Sequence, residues 1–146
     1  RRLRYSFDFN DTKMISIFSQ AEVSVSRSDV SSWLKKEDDP DQEPLEDQAL
    51  ASFLNGMIND MRGKKDGPQP EPETRLTNNI ILKKLNIALN LQAEDIIRIL
   101  GLVDFPIGKP ELSAFFRKKG HKHYKKCQDQ MLRNFIHGVQ IEYRGE

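Results

Sequence analysis

The apolar positions of this chain recur with helical spacing, and the same pattern occurs twice. Residues 1–64 align with residues 83–146 without a gap, at a constant offset of 82 positions. Twelve of the 64 aligned pairs are identical, and further pairs keep an apolar residue in both copies, such as Trp33 with Phe115. Chance similarity would scatter charges into these positions, so the pattern predicts a tandem duplication.

Each copy is predicted to contain four helices. The clearest apolar face follows Thr77, with spacing i, i+1, i+4, i+7 and i+8, and it consists of Ile81, Leu82, Leu85, Ala88 and Leu89. The other helices are predicted near residues 12–19, from Ser26 onward and at 46–61 in the first copy, and near 94–101, after Gly108 and at 126–143 in the second. Val30, Trp33 and Leu34 are expected to form the buried stripe of the third helix.

The fold class is therefore predicted to be all-α, a tandem duplication of a four-helix unit with the two copies packed around a shared core. A unit of 64 residues buries little apolar surface by itself, which favours packing of one copy on the other. The expected organisation is a first helical repeat at 1–64, a polar, Pro-rich linker at 65–76 and a second helical repeat at 77–146. The first copy has no counterpart of residues 77–82, so its first helix is expected to be truncated at its start.

The amino-acid composition limits the classes of protein to which this chain can belong. An apolar fraction of 37% and a charged fraction of 31% are typical of a soluble globular protein. No segment has the length and apolarity of a membrane span or a signal peptide, and the single cysteine, Cys127, cannot form an intrachain disulfide. We therefore expect a cytoplasmic protein without membrane contact.

No catalytic or cofactor motif stands out in the sequence. His121, His123 and Cys127 are residue types that bind metals, but their spacing matches no standard zinc pattern. Leu45 occupies the position equivalent to Cys127, which indicates an apolar slot rather than a nucleophile. We expect no catalytic residue, no cofactor and no bound metal.

The two copies differ in net charge. The net charge is −3 over residues 1–64, −1 over the linker and +5 over residues 77–146. The densest cations lie in residues 117–126, here called the basic loop. Its candidate anion- or nucleic-acid-binding residues are Arg117, Lys118, Lys119, His121, Lys122, His123, Tyr124, Lys125 and Lys126. Their mutual repulsion would fall on approach of phosphates or carboxylates, and the rings could stack on bases.

The aligned stretch of the first copy, residues 37–43, is here called the acidic loop, because it contains Glu37, Asp38, Asp39, Asp41 and Glu43. Opposite charges at equivalent places favour a competing use of both loops, head-to-tail association into a homo-oligomer. A solvated loop that only promotes solubility is the third interpretation.

Several segments are distinctive in combination: Trp33–Asp38, Phe53–Gly56, Arg62–Lys64, Thr77–Leu85 and parts of His121–Arg133. Together they resemble the YehS-like family of uncharacterised bacterial proteins, described as a duplicated domain of unknown function (DUF1456). The resemblance implies a bacterial, cytoplasmic protein and supplies no reaction, ligand or partner. The chain departs from the expected pattern at His123, Lys126 and Gln128, which makes its basic loop more cationic than the family pattern.

These observations favour a non-enzymatic interaction protein, a nucleic-acid-associated or regulatory accessory factor that uses the basic loop. The alternatives are a small ligand-binding protein or enzyme with a pocket between the two repeats, and a self-associating structural module.

Overall fold

A computed structural model describes residues 1–145, which form eight α-helices and no strand. The first four are α1 (Arg2–Phe7), α2 (Asp11–Gln20), α3 (Arg27–Leu34) and α4 (Asp47–Arg62). The second four are α5 (Asn78–Leu89), α6 (Ala93–Gly101), α7 (Lys109–Phe115) and α8 (Asp129–Arg144). The predicted all-α class is confirmed. Within this part of the chain no helix combines the length and apolarity needed to cross a bilayer.

Capping side chains from the local sequence account for the starts of α2, α3 and α5. The Ser26 hydroxyl accepts a hydrogen bond from the Asp29 amide at 3.0 Å, and the Asp29 carboxylate accepts one from the Ser26 amide at 2.9 Å. This reciprocal capping box satisfies two amides that have no partner inside the helix. The last helix, by contrast, begins at Asp129 and not at residue 126 as predicted. The Cys127 amide is bonded to the side chain of Asn79 instead of entering the helix.

The two halves of the chain repeat the same local geometry at the offset of 82. Asp8 and Asn90 have φ angles of 55° and 54°, and Glu22 and Asp104 have φ angles of 62° and 54°. Left-handed backbone is uncommon in residues other than glycine, so its recurrence at equivalent positions supports the duplication. The aligned apolar pairs Ile17/Ile99, Phe18/Leu100, Val30/Leu112, Phe53/Phe135 and Leu54/Ile136 are all buried.

The described residues divide into two compact units. The first contains Phe9–Leu76 together with Arg1, and the second contains Arg2–Asp8 together with the chain from Thr77 onward. In the first unit α2 packs on α3 and α4, and in the second α6 packs on α7 and α8. The apolar faces of these helices form the core of each unit.

Helix α1 packs on α8 and thus lies in the second unit. The Arg144 guanidinium donates a hydrogen bond to the Tyr5 carbonyl at 2.6 Å and lies 4.5 Å from the centre of the Tyr5 ring. The rings of Phe7 and Tyr143 are 5.5 Å apart. The start of the chain is therefore tied to α8 by stacking and by a charge-assisted hydrogen bond.

The stripe predicted for the third helix is only partly buried. Val30 is 1% exposed, but Trp33 and Leu34 have intermediate exposure, whereas Phe115, the counterpart of Trp33, is buried at 4%. The Trp33 ring packs against Phe18 at 5.6 Å between ring centres. Trp33 therefore lies at the edge of the core, and the prediction that it belongs to the buried stripe was wrong.

The single core shared by both copies stays a prediction. Its expected consequence is one cooperative thermal unfolding transition, with the calorimetric enthalpy equal to the van't Hoff enthalpy. Two separated transitions would contradict the shared core.

Candidate functional site

The basic loop connects α7 to α8, is exposed, and has an ordered backbone. Arg117, Lys118, Lys119, His121, Lys122, His123, Lys125 and Lys126 are all exposed. Its turns are closed by short-range hydrogen bonds, from the His121 amide to the Lys118 carbonyl at 3.0 Å and from the Tyr124 amide to the His121 carbonyl at 2.9 Å. The His123 amide also donates to Nδ1 of His121 at 3.0 Å. The loop thus presents its charges from a defined backbone.

The acidic loop has the same arrangement at equivalent positions. The Asp39 amide donates to the Lys36 carbonyl at 3.0 Å, and the Gln42 amide to the Asp39 carbonyl at 3.1 Å. The Asp41 amide donates to Oδ1 of Asp39 at 2.9 Å, so a carboxylate oxygen replaces the His121 ring nitrogen. A hydrogen bond between residues further apart in the sequence recurs as well. The Glu43 amide donates to the Ser32 carbonyl in one copy, and the Lys125 amide donates to the Ala114 carbonyl in the other, each at 3.1 Å. The two loops therefore share one local backbone design and differ in charge.

Asn79 in the first turn of α5 anchors both ends of the basic loop. It is 8% exposed, and its side-chain amide donates to the carbonyls of Phe115 at 3.0 Å and Lys125 at 2.9 Å. Its carbonyl oxygen accepts from the Cys127 amide at 2.9 Å. Sequence reasoning did not identify this residue. The available signal was a polar residue three positions before Leu82, which continues the buried face of the helix.

Cys127 closes the loop and has a structural role. Its side chain is fully buried, and its carbonyl accepts a hydrogen bond from the Asn78 side chain at 3.1 Å. Burial, with a smaller contribution from the Asp129 carboxylate, raises the pKa of the Cys127 thiol to about 11. A nucleophilic cysteine requires the opposite shift, so the interpretation of this position as an apolar slot is supported.

The cations of the loop are not equivalent. The Lys125 ammonium lies 2.9 Å from a carboxylate oxygen of Glu111 and 5.7 Å from the centre of the Phe115 ring. The other five, Arg117, Lys118, Lys119, Lys122 and Lys126, form no ion pair with any of residues 1–145. Lys125 therefore compensates a charge of its own unit, and the other five form the unneutralised surface.

Two shallow depressions adjoin this surface within the second unit. The first, here called the loop pocket, has a volume of about 200 Å³ and is lined by Thr77, Asn79, Ile80, Lys83, Phe115, Phe116, Arg117, Lys118, Lys119 and Tyr124. The second, here called the side pocket, measures about 330 Å³ and is lined by Ser113, Phe116, Arg117, Lys118 and His121. The structure thus brings five of the nine predicted site residues around two depressions, namely Arg117, Lys118, Lys119, His121 and Tyr124. Lys122, His123, Lys125 and Lys126 line neither depression. Among residues 1–145 there is no cluster of three His, Cys, Asp or Glu side chains arranged to hold a metal ion.

Comparison with known proteins identifies the family. Residues 1–63 and 78–145 each match the family described as "Protein of unknown function (DUF1456)". The chain is also 39% identical over 140 residues to the uncharacterized protein YehS of Escherichia coli (strain K12), an alignment that covers 95% of this chain and 90% of that protein. No solved structure matches. The chain belongs to the DUF1456 family, as its resemblance to YehS-like proteins indicated, and the two matched segments agree with the predicted duplication.

Proposed function

We propose that this chain, as a member of a family without an assigned reaction, is a non-enzymatic interaction protein that binds nucleic acid through the basic loop. The proposal rests on one observation: five exposed cations that have no ion-pair partner among residues 1–145 project from a loop whose two ends are anchored by the buried side chain of Asn79. A polyanion with regularly spaced phosphates can bind favourably to such a surface, because each phosphate that a cation neutralises releases condensed counterions.

The comparison of the two loops supports a role in binding. The first copy forms the same local hydrogen bonds although Glu37, Pro40, Glu43 and Pro44 replace four of the six cations, so this backbone conformation does not require the additional positive charge. A cluster of like charges raises the free energy of the unbound protein. The presence of such a cluster in the basic loop therefore needs an explanation other than local folding. Ordering of the loop before binding also lowers the entropic cost of fixing it on a ligand.

Charge reversal in the basic loop tests the proposal. The variant Lys118→Glu, Lys119→Glu, Lys122→Glu is expected to lose binding of a fluorescein-labelled oligonucleotide in an anisotropy titration. If three phosphate contacts are lost, the slope of log K against log salt should flatten by about 2 to 3. Thermal stability should change little, because exposed charges contribute little to the free energy of unfolding.

A matched control has the same change in net charge in the first unit. Lys36, Lys65 and Arg75 are exposed, and reversal of all three to Glu should lower the affinity only slightly through the long-range field. Equal losses in the two triple variants would show that net charge, and not the basic loop, drives binding. Absence of binding by the wild-type protein at low salt would refute the proposed function.

The second candidate function is head-to-tail self-association of the two loops, favoured by their equivalent backbone and opposite charges. Sedimentation velocity should then show concentration-dependent dimers that the basic-loop variant loses. Adding Glu37→Lys, Asp38→Lys and Glu43→Lys to that variant should restore them, because both partners are reversed. Dimers that do not respond to either set of changes would contradict this candidate.

A further inference from the structure

The loop pocket is formed by two segments that are distant in the sequence. Lys83 comes from the second turn of α5, whereas Lys118 and Lys119 come from the basic loop. All three ammonium-bearing side chains are exposed. Cations from two separate segments of the chain therefore line one depression, a placement that a loop charged only for solubility does not require.

Two partly exposed aromatic rings line the same depression. Phe116 and Tyr124 have intermediate exposure, in contrast to their neighbour Phe115, which is buried at 4%. At the equivalent positions the first copy has Leu34 and Gln42. The two aromatic rings thus occur only in the second copy, together with Lys119, Lys122 and Lys126, whose equivalents in the first copy are Glu37, Pro40 and Pro44.

The size of the pocket limits what it can hold. Sites for whole small molecules usually enclose about 300–1,000 Å³, and the loop pocket measures about 200 Å³. It adjoins the side pocket, with which it shares Phe116, Arg117 and Lys118. This geometry fits a flat ring that is attached to a longer chain better than it fits a separate metabolite.

We infer that the loop pocket is a base-binding subsite for single-stranded nucleic acid, an inference that rests on the proposed function. One unpaired base stacks on Tyr124, and the phosphates on either side of it contact Lys83 from α5 and Lys118 and Lys119 from the basic loop. The side pocket, with His121, receives the adjoining nucleotide. Bases in a duplex are paired and stacked and cannot enter, so the site selects single strands.

Substitution of Tyr124 separates stacking from charge. Tyr124→Leu should weaken binding of labelled oligothymidylate by about tenfold, the order of loss expected when one stacking ring is removed. Tyr124→Phe, the matched control, keeps the ring and should bind as the wild type does. Heparin, a polyanion without bases, should bind the wild type and Tyr124→Leu equally. Wild-type protein should bind oligothymidylate more tightly than a duplex of the same length.

Lys83 supplies an independent test from another helix. Lys83→Ala should reduce the salt slope on oligothymidylate by about 0.7, which corresponds to one phosphate contact on a single strand. Because Lys83 is exposed and forms no ion pair with residues 1–145, the fold should be unchanged. The circular dichroism spectrum of the variant should therefore match that of the wild type. If Lys83→Ala kept the salt slope of the wild-type protein, α5 would not belong to the site and the inference would be overturned.

The outcomes distinguish failure of the inference from failure of the proposed function. Equal binding of oligothymidylate, duplex and heparin, with Tyr124→Leu and Lys83→Ala indistinguishable from wild type, would overturn the base-binding subsite and leave general polyanion binding in place. Binding of none of the three probes at low salt would refute both.

Discussion

Replacement of Gly56 by alanine is expected to destabilise the first unit by about 3 kcal/mol, the upper end of the usual cost of overpacking a core. Gly56 lies in the middle of α4, where α2 crosses it. A Cβ atom at this position would lie 1.9 Å from the carbonyl oxygen of Ile17 and 2.8 Å from its carbonyl carbon. Because both atoms belong to the backbone, no rotamer change can relieve the overlap, and the two helices must move apart. The clash exceeds the gain of about 0.5–1 kcal/mol that alanine has over glycine inside a helix.

Urea denaturation of three glycine variants checks this result. In Gly138→Ala, the equivalent change in α8, the added atom would lie 2.5 Å from the Ile99 carbonyl oxygen, so we expect a smaller loss of stability in the same direction. Gly101 is the matched control, since it is helical and has no atom within 4 Å of an added Cβ. Gly101→Ala should be neutral or slightly stabilising. If Gly56→Ala were as stable as Gly101→Ala, the close crossing of α2 and α4 would be incorrect.

The second large effect is expected at Asn79, where alanine should lower the free energy of unfolding by about 3 kcal/mol. The substitution leaves the amide of Cys127 and the carbonyls of Phe115 and Lys125 without their side-chain partner. Each buried polar group left unpaired costs about 1–3 kcal/mol, although water that enters the site reduces the sum. The basic loop should also become more mobile, because it loses the contact that joins its two ends.

Asn78→Ala provides the comparison for Asn79→Ala. The Asn78 side chain donates to the Cys127 carbonyl at 3.1 Å and to a carboxylate oxygen of Asp129 at 2.7 Å, but it is only partly buried. Water can replace these bonds, so the loss of stability should be clearly smaller. Hydrogen exchange of the amides in residues 117–127 should accelerate strongly in Asn79→Ala only. Equal exchange in both variants would contradict the anchoring role of Asn79.

Loss of the anchor should also affect the proposed binding of nucleic acid. A mobile loop has to be ordered when it binds, which lowers affinity without removal of any cation. Asn79→Ala should therefore bind oligothymidylate more weakly than wild type but keep the wild-type salt slope. The triple charge reversal changes that slope, so the two kinds of defect are separable in the same titration.

Features that depend on near neighbours in the chain could be predicted from the amino-acid sequence. The helical class follows from apolar spacing, and the start of α3 follows from the Ser26–Asp29 capping box. The duplication was readable because equivalent core positions, such as Ile17 and Ile99, kept their apolar character. The opposite charges of the two loops were visible for the same reason, since charge is a property of each residue alone.

The partner of each predicted apolar face became apparent only in the folded protein. The apolar spacing of a helix shows that it has a buried side but does not name the partner, so the packing of α1 on α8 could not be read from the repeat. Trp33 and Phe115 occupy equivalent positions, yet they differ in burial because their surroundings differ. Asn79 lies 36 residues or more from each group that it bonds. Hydrogen bonds of that separation leave no periodic signal, because they depend on where the folded chain brings the two partners together.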